Sequence, residues 1–138
     1  MKMKKVIATA MVGFMAMGML AGCGGGGAKD DAATAIKVGG TGPLTGGAAI
    51  YGLAVQRGAE IAVEEVNALG GVQFEFKMED DAHDAEKAVN AYNALKDWGM
   101  QISLGSVTST PGTATAAEND NDRIFALTPS ASATTVTE

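Results

Sequence analysis

The chain has 138 residues, enough for one small domain, and its ten Lys plus Arg against sixteen Asp plus Glu give a net charge of −6. An acidic chain without basic clusters argues against nucleic-acid binding and against electrostatic adhesion to anionic lipid. The single cysteine excludes an internal disulfide framework. Because there are only four Phe, two Tyr and one Trp, the core must consist mainly of aliphatic side chains and methionine.

The first 22 residues have the features of a bacterial signal peptide. Three lysines precede residues 6–20, an uncharged apolar run of about fifteen residues that suits a signal peptide and is too short to span a bilayer. The small residues before Cys23 resemble a lipobox, in which the cysteine is lipidated and the leader is cut before it. Because more than one acyl chain gives stable anchoring, we predict an extracytoplasmic lipoprotein anchored to the cell membrane through Cys23. The alternative is an ordinary secretory signal with a cysteine there by chance.

Three regions therefore follow one another along the chain. Residues 1–22 are the predicted signal peptide, residues 23–34 are a glycine- and alanine-rich flexible tether, and residues 35–138 are the folded part. Cleavage before Cys23 removes three lysines and no acids, so the net charge becomes about −9. The sequence stops just after a predicted strand, which indicates part of a longer protein.

Strands alternate with helices through the folded part. Apolar runs and period-two alternation predict strands at residues 35–40, 72–79, 101–105 and 123–128. Apolar residues spaced by three and four, together with start and stop signals, predict helices at residues 55–69, 85–98 and 111–120, and a further one from residue 131. This order favours an α/β fold, an open parallel sheet with helices on both faces.

The helix ends have recognisable residues. Asp81 or Asp84 is placed to cap the second helix, and Gly99 to end it. Ser109 or Thr110 is placed to cap the third helix, with Pro111 at its first position.

Ligands of open parallel sheets bind beyond the carboxyl ends of the strands, which leaves four candidate loops. Residues 40–50 are glycine-rich, but the spacing is not GxGxxG and the P-loop lysine is missing, so we interpret a tight turn and not a nucleotide site. Residues 79–84 contain four acids and the only histidine, His83. A divalent cation would use such oxygens, but carboxylates at a helix start also satisfy free N–H groups, and capping is the favoured interpretation.

The other two loops are rich in hydroxyl groups. Residues 106–110 open a helix, so free N–H groups and the hydroxyls of Ser109 and Thr110 would suit a carboxylate or phosphate, unless Ser109 only caps the helix. Ser130 and Ser132 place two more hydroxyl groups after the next strand, and the two loops are expected to converge on one small polar ligand. A serine hydrolase needs a base beside its nucleophile. There is no GxSxG, and His83 lies on a different loop, so we predict no catalytic residues and no enzyme activity.

Several stretches stand in a distinctive order and spacing. They are residues 36–39 with GPLTG at 42–46, Tyr51-Gly52, Gly58-Ala59, AVEEVNALGG at 62–71, Asp80-Asp81, residues 105–110, and TPSAS at 128–132. Together they resemble the start of a periplasmic substrate-binding protein of the branched-chain amino-acid type, in its lipoprotein form.

The resemblance implies two α/β lobes of the type I fold, joined by a hinge, that close on an amino acid or similar small solute and deliver it to ABC permease subunits. This chain would supply part of the N-terminal lobe. The resemblance implies no cofactor, and it implies contact with the membrane only through the lipid anchor. Ligand contacts are implied at the carboxylate-binding loop, at the following serine loop and at the cleft edge: Val107, Thr108 and Ser109; Ser130, Ala131 and Ser132; and Tyr51.

The chain departs from the family at three points. Some relatives have a cysteine pair where His83 and Thr108 stand, and they often have threonine where Ser132 stands. The acidic residue that usually pairs with the ligand ammonium would belong to the second lobe. The identity of the ligand is left open by the sequence: leucine-like, polar and aromatic amino acids, amides and urea are all candidates. Rival interpretations are the sensor domain of a receptor with the same lobes and, less favoured, an anchored hydrolase.

Overall fold

The computed structural model describes residues 34–137, so the predicted signal peptide, Cys23 and most of the tether lie outside the described residues. Strands and helices alternate from Ile36 onward, which confirms the predicted order of elements. They are β1 (Ile36–Gly42), α1 (Ala49–Ala68), β2 (Phe74–Asp80), α2 (Ala85–Trp98), β3 (Ile102–Ser106), α3 (Ser109–Asp122), β4 (Phe125–Ala126) and a 3-10 turn (Thr134–Val136).

The four strands form one sheet in the order β2-β1-β3-β4, and every neighbouring pair is parallel. β1 pairs along its full length with β2, from Ile36 beside Phe74 to Gly42 beside Asp80. Because all strands run the same way, their carboxyl ends meet at one edge of the sheet. The predicted open parallel sheet is confirmed, and its loop-bearing edge is the place where the family of folds binds ligands.

Helices cover both faces of this sheet. Successive residues of β1 point to opposite faces. Val38 lines a shallow groove with Val55 of α1, whereas a side chain at Gly39 would overlap the Met100 sulfur, beside Leu95 of α2. Glycine at position 39 therefore allows α2 to lie directly against the central strand.

Helices α2 and α3 are joined by a core residue with a polar end. The Tyr92 ring is buried with Leu95 and Met100. Its hydroxyl donates to the Glu118 carbonyl at 3.2 Å and lies 3.0 Å from an Asp122 carboxylate oxygen of α3. Burial, and then the hydrogen bond to that carboxylate, raise the pKa of Tyr92. The tyrosine therefore fixes α3, which carries one of the candidate loops, against α2.

The predicted signals at the ends of α2 are confirmed in part. Asp84 is the N-cap, with its side chain accepting the N–H of Lys87 at 2.9 Å, and Gly99 ends the helix with a left-handed φ of 95°. Asp81, the other predicted cap, is instead buried beneath the loop.

Other boundaries differ from the predictions. Helix α1 begins at residue 49 and not 55, and α3 begins at Ser109, so Thr108 is its N-cap and Pro111 its third residue. Proline is tolerated there because the first N–H groups of a helix have no partner within it. β4 is only two residues long, and beyond it the Thr128 hydroxyl donates to the Ser106 carbonyl of β3. The predicted fourth helix is only the 3-10 turn.

The predicted apolar face of α1 is only partly buried. Val55 and Ala59 are half-buried, but Leu69 is 85% exposed. A helix of 20 residues is about 30 Å long, whereas the seven-residue strand beside it extends about 23 Å. The helix therefore extends past the sheet. Within residues 34–137, no helix combines the length and hydropathy needed to cross a membrane.

Candidate ligand-binding site

A cavity of about 340 Å³ lies at the edge where the strands end. It brings together the start of α1, the loop after β2, the loop after β3 and the loop after β4. Its wall consists of Tyr51, His83, Val107, Thr108, Ser109, Thr110 and Ser130. Five of the seven residues that the family resemblance implies therefore line one cavity, while Ala131 and Ser132 lie next to it in the chain.

The loops at residues 106–110 and 129–133, which we call the first and second serine loops, are hydrogen-bonded to each other. The Ser109 hydroxyl oxygen accepts the N–H groups of Ser132 at 3.1 Å and Ala133 at 3.2 Å. The Ser130 hydroxyl donates to the Val107 carbonyl at 2.6 Å. These serine hydroxyls therefore position the loops, a role that the sequence analysis did not assign to them, and their contact with a ligand stays a prediction.

Free hydrogen-bond donors at this edge come from the backbone of α3. The first N–H groups of a helix lack intrahelical acceptors and form its positive end. Among the described residues, the N–H groups of Ser109 and Thr110 have no hydrogen-bond partner, and the Thr108 side chain makes no capping bond. Pro111 has no N–H, and the next donor, Gly112, bonds to the Thr108 carbonyl. Two backbone donors thus remain for an anion such as a carboxylate.

His83 also lies in the cavity wall, which the sequence analysis did not predict. Its Nδ1 is 2.9 Å from the Thr108 hydroxyl oxygen. The backbone of His83 is left-handed, with a φ of 63°, and its N–H donates to Asp81 Oδ1 at 2.8 Å. The hydrogen-bonded pair occupies the two positions at which the resemblance implies cysteines in some relatives. Histidine adopts the left-handed conformation more readily than most residues, and this preference is the sequence signal for a turn at this position.

The acidic loop, residues 79–84, is hydrogen-bonded to the glycine-rich loop, residues 40–50, and holds it in place. Asp80 accepts hydrogen bonds from the N–H of Leu44 at 2.8 Å and from the Thr45 hydroxyl at 2.6 Å. Burial raises the pKa of this carboxyl, but the Thr45 hydroxyl and the backbone donors outweigh it, so the pKa lies below its ordinary value. In the part of the chain that the structure describes, no group of three or more His, Cys, Asp and Glu side chains is placed to hold a metal ion. Asp84 caps α2 as the capping interpretation expected, whereas Asp80 binds the glycine-rich loop and not the helix.

Tyr51 stands at the rim of the cavity, with 62% of its surface exposed. Its neighbour Gly52 fixes this position, because a side chain there would overlap the Pro43 carbonyl oxygen. The first turn of α1 therefore lies directly against the glycine-rich loop, and the aromatic ring is presented beside the two serine loops.

The comparisons with known proteins agree with this geometry. A family model for periplasmic binding proteins matches residues 35–138. The chain belongs to the periplasmic binding protein family. Its described residues form part of the type I periplasmic binding protein fold.

Relatives in this family are named for the amino acids they bind. The chain is 35% identical over 109 residues to the leucine-, isoleucine-, valine-, threonine- and alanine-binding protein of Pseudomonas aeruginosa, covering 77% of this chain and 29% of that protein. It is 36% identical over 109 residues to the Leu/Ile/Val-binding protein BraC3 of Rhizobium johnstonii, covering 75% and 29%. The chain therefore spans about three tenths of the length of these relatives.

Solved structures of amino-acid-binding proteins are also similar to this chain. The substrate-binding protein LivJ of Streptococcus pneumoniae, determined in complex with isoleucine, has a TM-score of 0.69 and 30% identity, covering 75% of this chain and 31% of that one. The leucine-binding protein LivK of Thermotoga maritima has a TM-score of 0.68 and 27% identity, covering 75% and 30%.

A buried polar network lies beneath the site of this periplasmic binding protein. Asp81 is fully buried, and within residues 34–137 its Oδ2 has no hydrogen-bond partner. Beside it, the Thr41 and Ser106 hydroxyls are 2.6 Å apart, and Ser106 continues to Thr115 at 3.0 Å. Burial raises the pKa of Asp81 and the Asp80 carboxylate adds to the effect, while the His83 N–H opposes it.

The raised pKa of Asp81 makes the stability of the protein depend on pH. A folded-state pKa above the unfolded-state value means that the folded state binds the proton more tightly. The stabilisation is therefore complete below the unfolded-state pKa of about 3.9, and it is lost as the pH rises through the raised value.

We predict that Asp81→Asn becomes more stable than the wild type as the pH rises. The amide keeps the oxygen that accepts the His83 N–H, but it removes the ionised and unpartnered oxygen, which costs about 1–3 kcal/mol when buried. Urea unfolding between about pH 4 and pH 7 measures the difference. Asp97→Asn, on the exposed side of α2, is the control and should change stability by less than about 0.5 kcal/mol. A stability difference for Asp81→Asn that does not vary with pH would contradict the assignment.

Proposed function

We propose that this protein is an extracytoplasmic solute-binding protein that captures a small aliphatic amino acid and delivers it to an ABC importer. The observation that carries the proposal is a pair of N–H groups, on Ser109 and Thr110, at the start of α3 in the cavity wall, for which the described residues offer no hydrogen-bond partner. The chain supplies a binding surface and has no catalytic role in this proposal.

The pair of donors suits the carboxylate of an amino acid. Of the residues that the structure describes, no lysine or arginine lines the cavity, so the anion would be bound by backbone N–H groups and by the positive end of the helix. These groups act at short range, whereas the acids elsewhere on the surface are screened over about 8–10 Å. An acidic protein can therefore bind a carboxylate at this edge.

The ligand class is proposed from the relatives. Their names include leucine, isoleucine, valine, threonine and alanine, and one solved relative holds isoleucine. Each of these amino acids has the carboxylate for which α3 offers donors. Tyr51 at the rim would cover part of the ligand, and Ser130, Ala131 and Ser132 would contact its carboxylate and amino group.

The cavity is one half of a proposed cleft. In this proposal residues 35–138 are part of an N-terminal lobe, and a second lobe joined by a hinge closes over the ligand and supplies the acid for its ammonium group. Closure shifts an open–closed equilibrium by the difference in ligand affinity between the two states. The closed form would then be the one that ABC permease subunits receive.

Membrane attachment completes the proposal. Residues 1–22 would direct export, and the lipidated Cys23 would anchor the protein to the cell membrane, with residues 23–34 as a tether. The family of the chain supports a location outside the cytoplasm.

Calorimetric titration of the full-length protein with leucine, isoleucine, valine, threonine and alanine tests the function. We predict that Ser109→Ala weakens binding of the preferred amino acid by about 1–3 kcal/mol, because the N–H groups of Ser132 and Ala133 lose their acceptor and the serine loops separate.

The matched control is Thr113→Ala. This residue also lies on α3 and loses a hydroxyl bonded at 2.8 Å to Thr135, but it is outside the cavity wall, so affinity should be unchanged. If the wild type binds none of the five amino acids, the proposed function is wrong. If it binds and Ser109→Ala binds equally well with an intact fold, the serine loops do not shape the site.

Replacement of the predicted lipidation residue tests the anchor. We expect Cys23→Ser to leave the protein unlipidated, because the hydroxyl does not replace the thiol in the alkylation, and to move it from the membrane fraction to the soluble extracytoplasmic fraction. Cell fractionation and mass spectrometry of the amino terminus measure both effects, and Gly24→Ala is the control. Retention of Cys23→Ser in the membrane fraction would favour attachment by other means.

A further inference from the structure

The cap of α3 is unusual for a threonine. A threonine at the N-cap normally accepts a hydrogen bond from the N–H of the second or third helical residue. Here the third residue is Pro111, which has no N–H, so Thr110 offers the only such donor. The Thr108 side chain does not accept it and lies instead 2.9 Å from His83 Nδ1.

We propose that His83 is a positioning residue of the ligand site, which holds the Thr108 hydroxyl away from the Thr110 N–H and so keeps that donor free for the ligand. The inference rests on the proposed function, because the freed donor is one of the two assigned to the carboxylate. His83 acts through Thr108 and needs no contact of its own with the ligand.

The imidazole is well fixed for this role. The backbone N–H of His83 donates to Oδ1 of the buried Asp81 at 2.8 Å, and the backbone N–H of Asp84 donates to the Asp81 carbonyl at 2.8 Å. These two bonds hold His83 in its left-handed conformation, which histidine adopts more readily than most residues. Since Asp81 is fully buried, the turn that carries the ring is anchored in the interior of the protein.

Without the histidine, the Thr108 hydroxyl would compete with the ligand. A threonine cap stabilises a helix, so a freed Thr108 side chain would turn toward the Thr110 N–H. The ligand carboxylate would then have to displace it. The competition requires the hydroxyl, and it therefore disappears when residue 108 has none.

The test is a pair of substitutions made singly and together in the full-length protein. The probe is whichever of leucine, isoleucine, valine, threonine and alanine the wild type binds most tightly, and calorimetry measures the dissociation constant. We expect His83→Ala to weaken binding roughly five- to tenfold. Thr108→Val is the reference for the double variant, since valine has no hydroxyl that could compete with the ligand, and the double variant should bind within about twofold of Thr108→Val.

His83→Asn is a second variant in case His83→Ala unfolds. Asparagine tolerates the left-handed conformation and has a polar atom near the position of Nδ1, so it should restore affinity to within about threefold of the wild type. Thermal unfolding of each variant checks that the fold is retained.

Two results would overturn the inference. One is an unchanged affinity in His83→Ala, and the other is an equal loss of affinity whether residue 108 is threonine or valine, which would indicate that His83 only stabilises the fold. Failure of the wild type to bind any of the five amino acids would overturn the proposed function and the inference together. A wild type that binds, with variants that do not follow the expected pattern, would overturn the inference alone.

Discussion

The parallel pairing of β1 with both of its neighbours is the constraint on which the rest of the structure depends. It brings the ends of β1, β2 and β3 to one edge, and the ladder continues one bond past each strand. The N–H of Asp81 donates to the Gly42 carbonyl and the N–H of Val107 to the Thr41 carbonyl, both at 3.0 Å. The acidic loop and the first serine loop are therefore held against the glycine-rich loop before any side chain contributes.

Side chains and backbone then have different tasks at this edge. The hydroxyls of Ser109 and Ser130 hold the two serine loops together, and Asp80 holds the glycine-rich loop. The N–H groups at the start of α3 are left for a ligand. Rigid loops with free backbone donors are a preorganised site, because little side-chain entropy is lost when an anion binds. This division explains how an acidic protein would bind a carboxylate without arginine or lysine.

The sequence predicted what depends on local chemistry. The order of elements followed from apolar spacing, and the Asp84 cap and the Gly99 stop follow from the preferences of helix ends. What it missed depends on partners distant in the chain. The Ser109 hydroxyl bonds to residues 132 and 133, and His83 bonds to Thr108, 25 residues away. The buried Asp81 lies directly after Asp80 and three residues before Asp84, and it was indistinguishable from a cap because only the folded structure determines which carboxylate is covered.

A crystal structure of the full-length protein with the amino acid that it binds most tightly would show whether backbone N–H groups hold the ligand carboxylate. We predict that one carboxylate oxygen lies about 2.7–3.2 Å from the backbone nitrogens of Ser109 and Thr110, with the hydrogen bond between His83 and Thr108 intact. A ligand whose ammonium group or side chain occupies this edge, with its carboxylate bound elsewhere, would contradict the proposed carboxylate site.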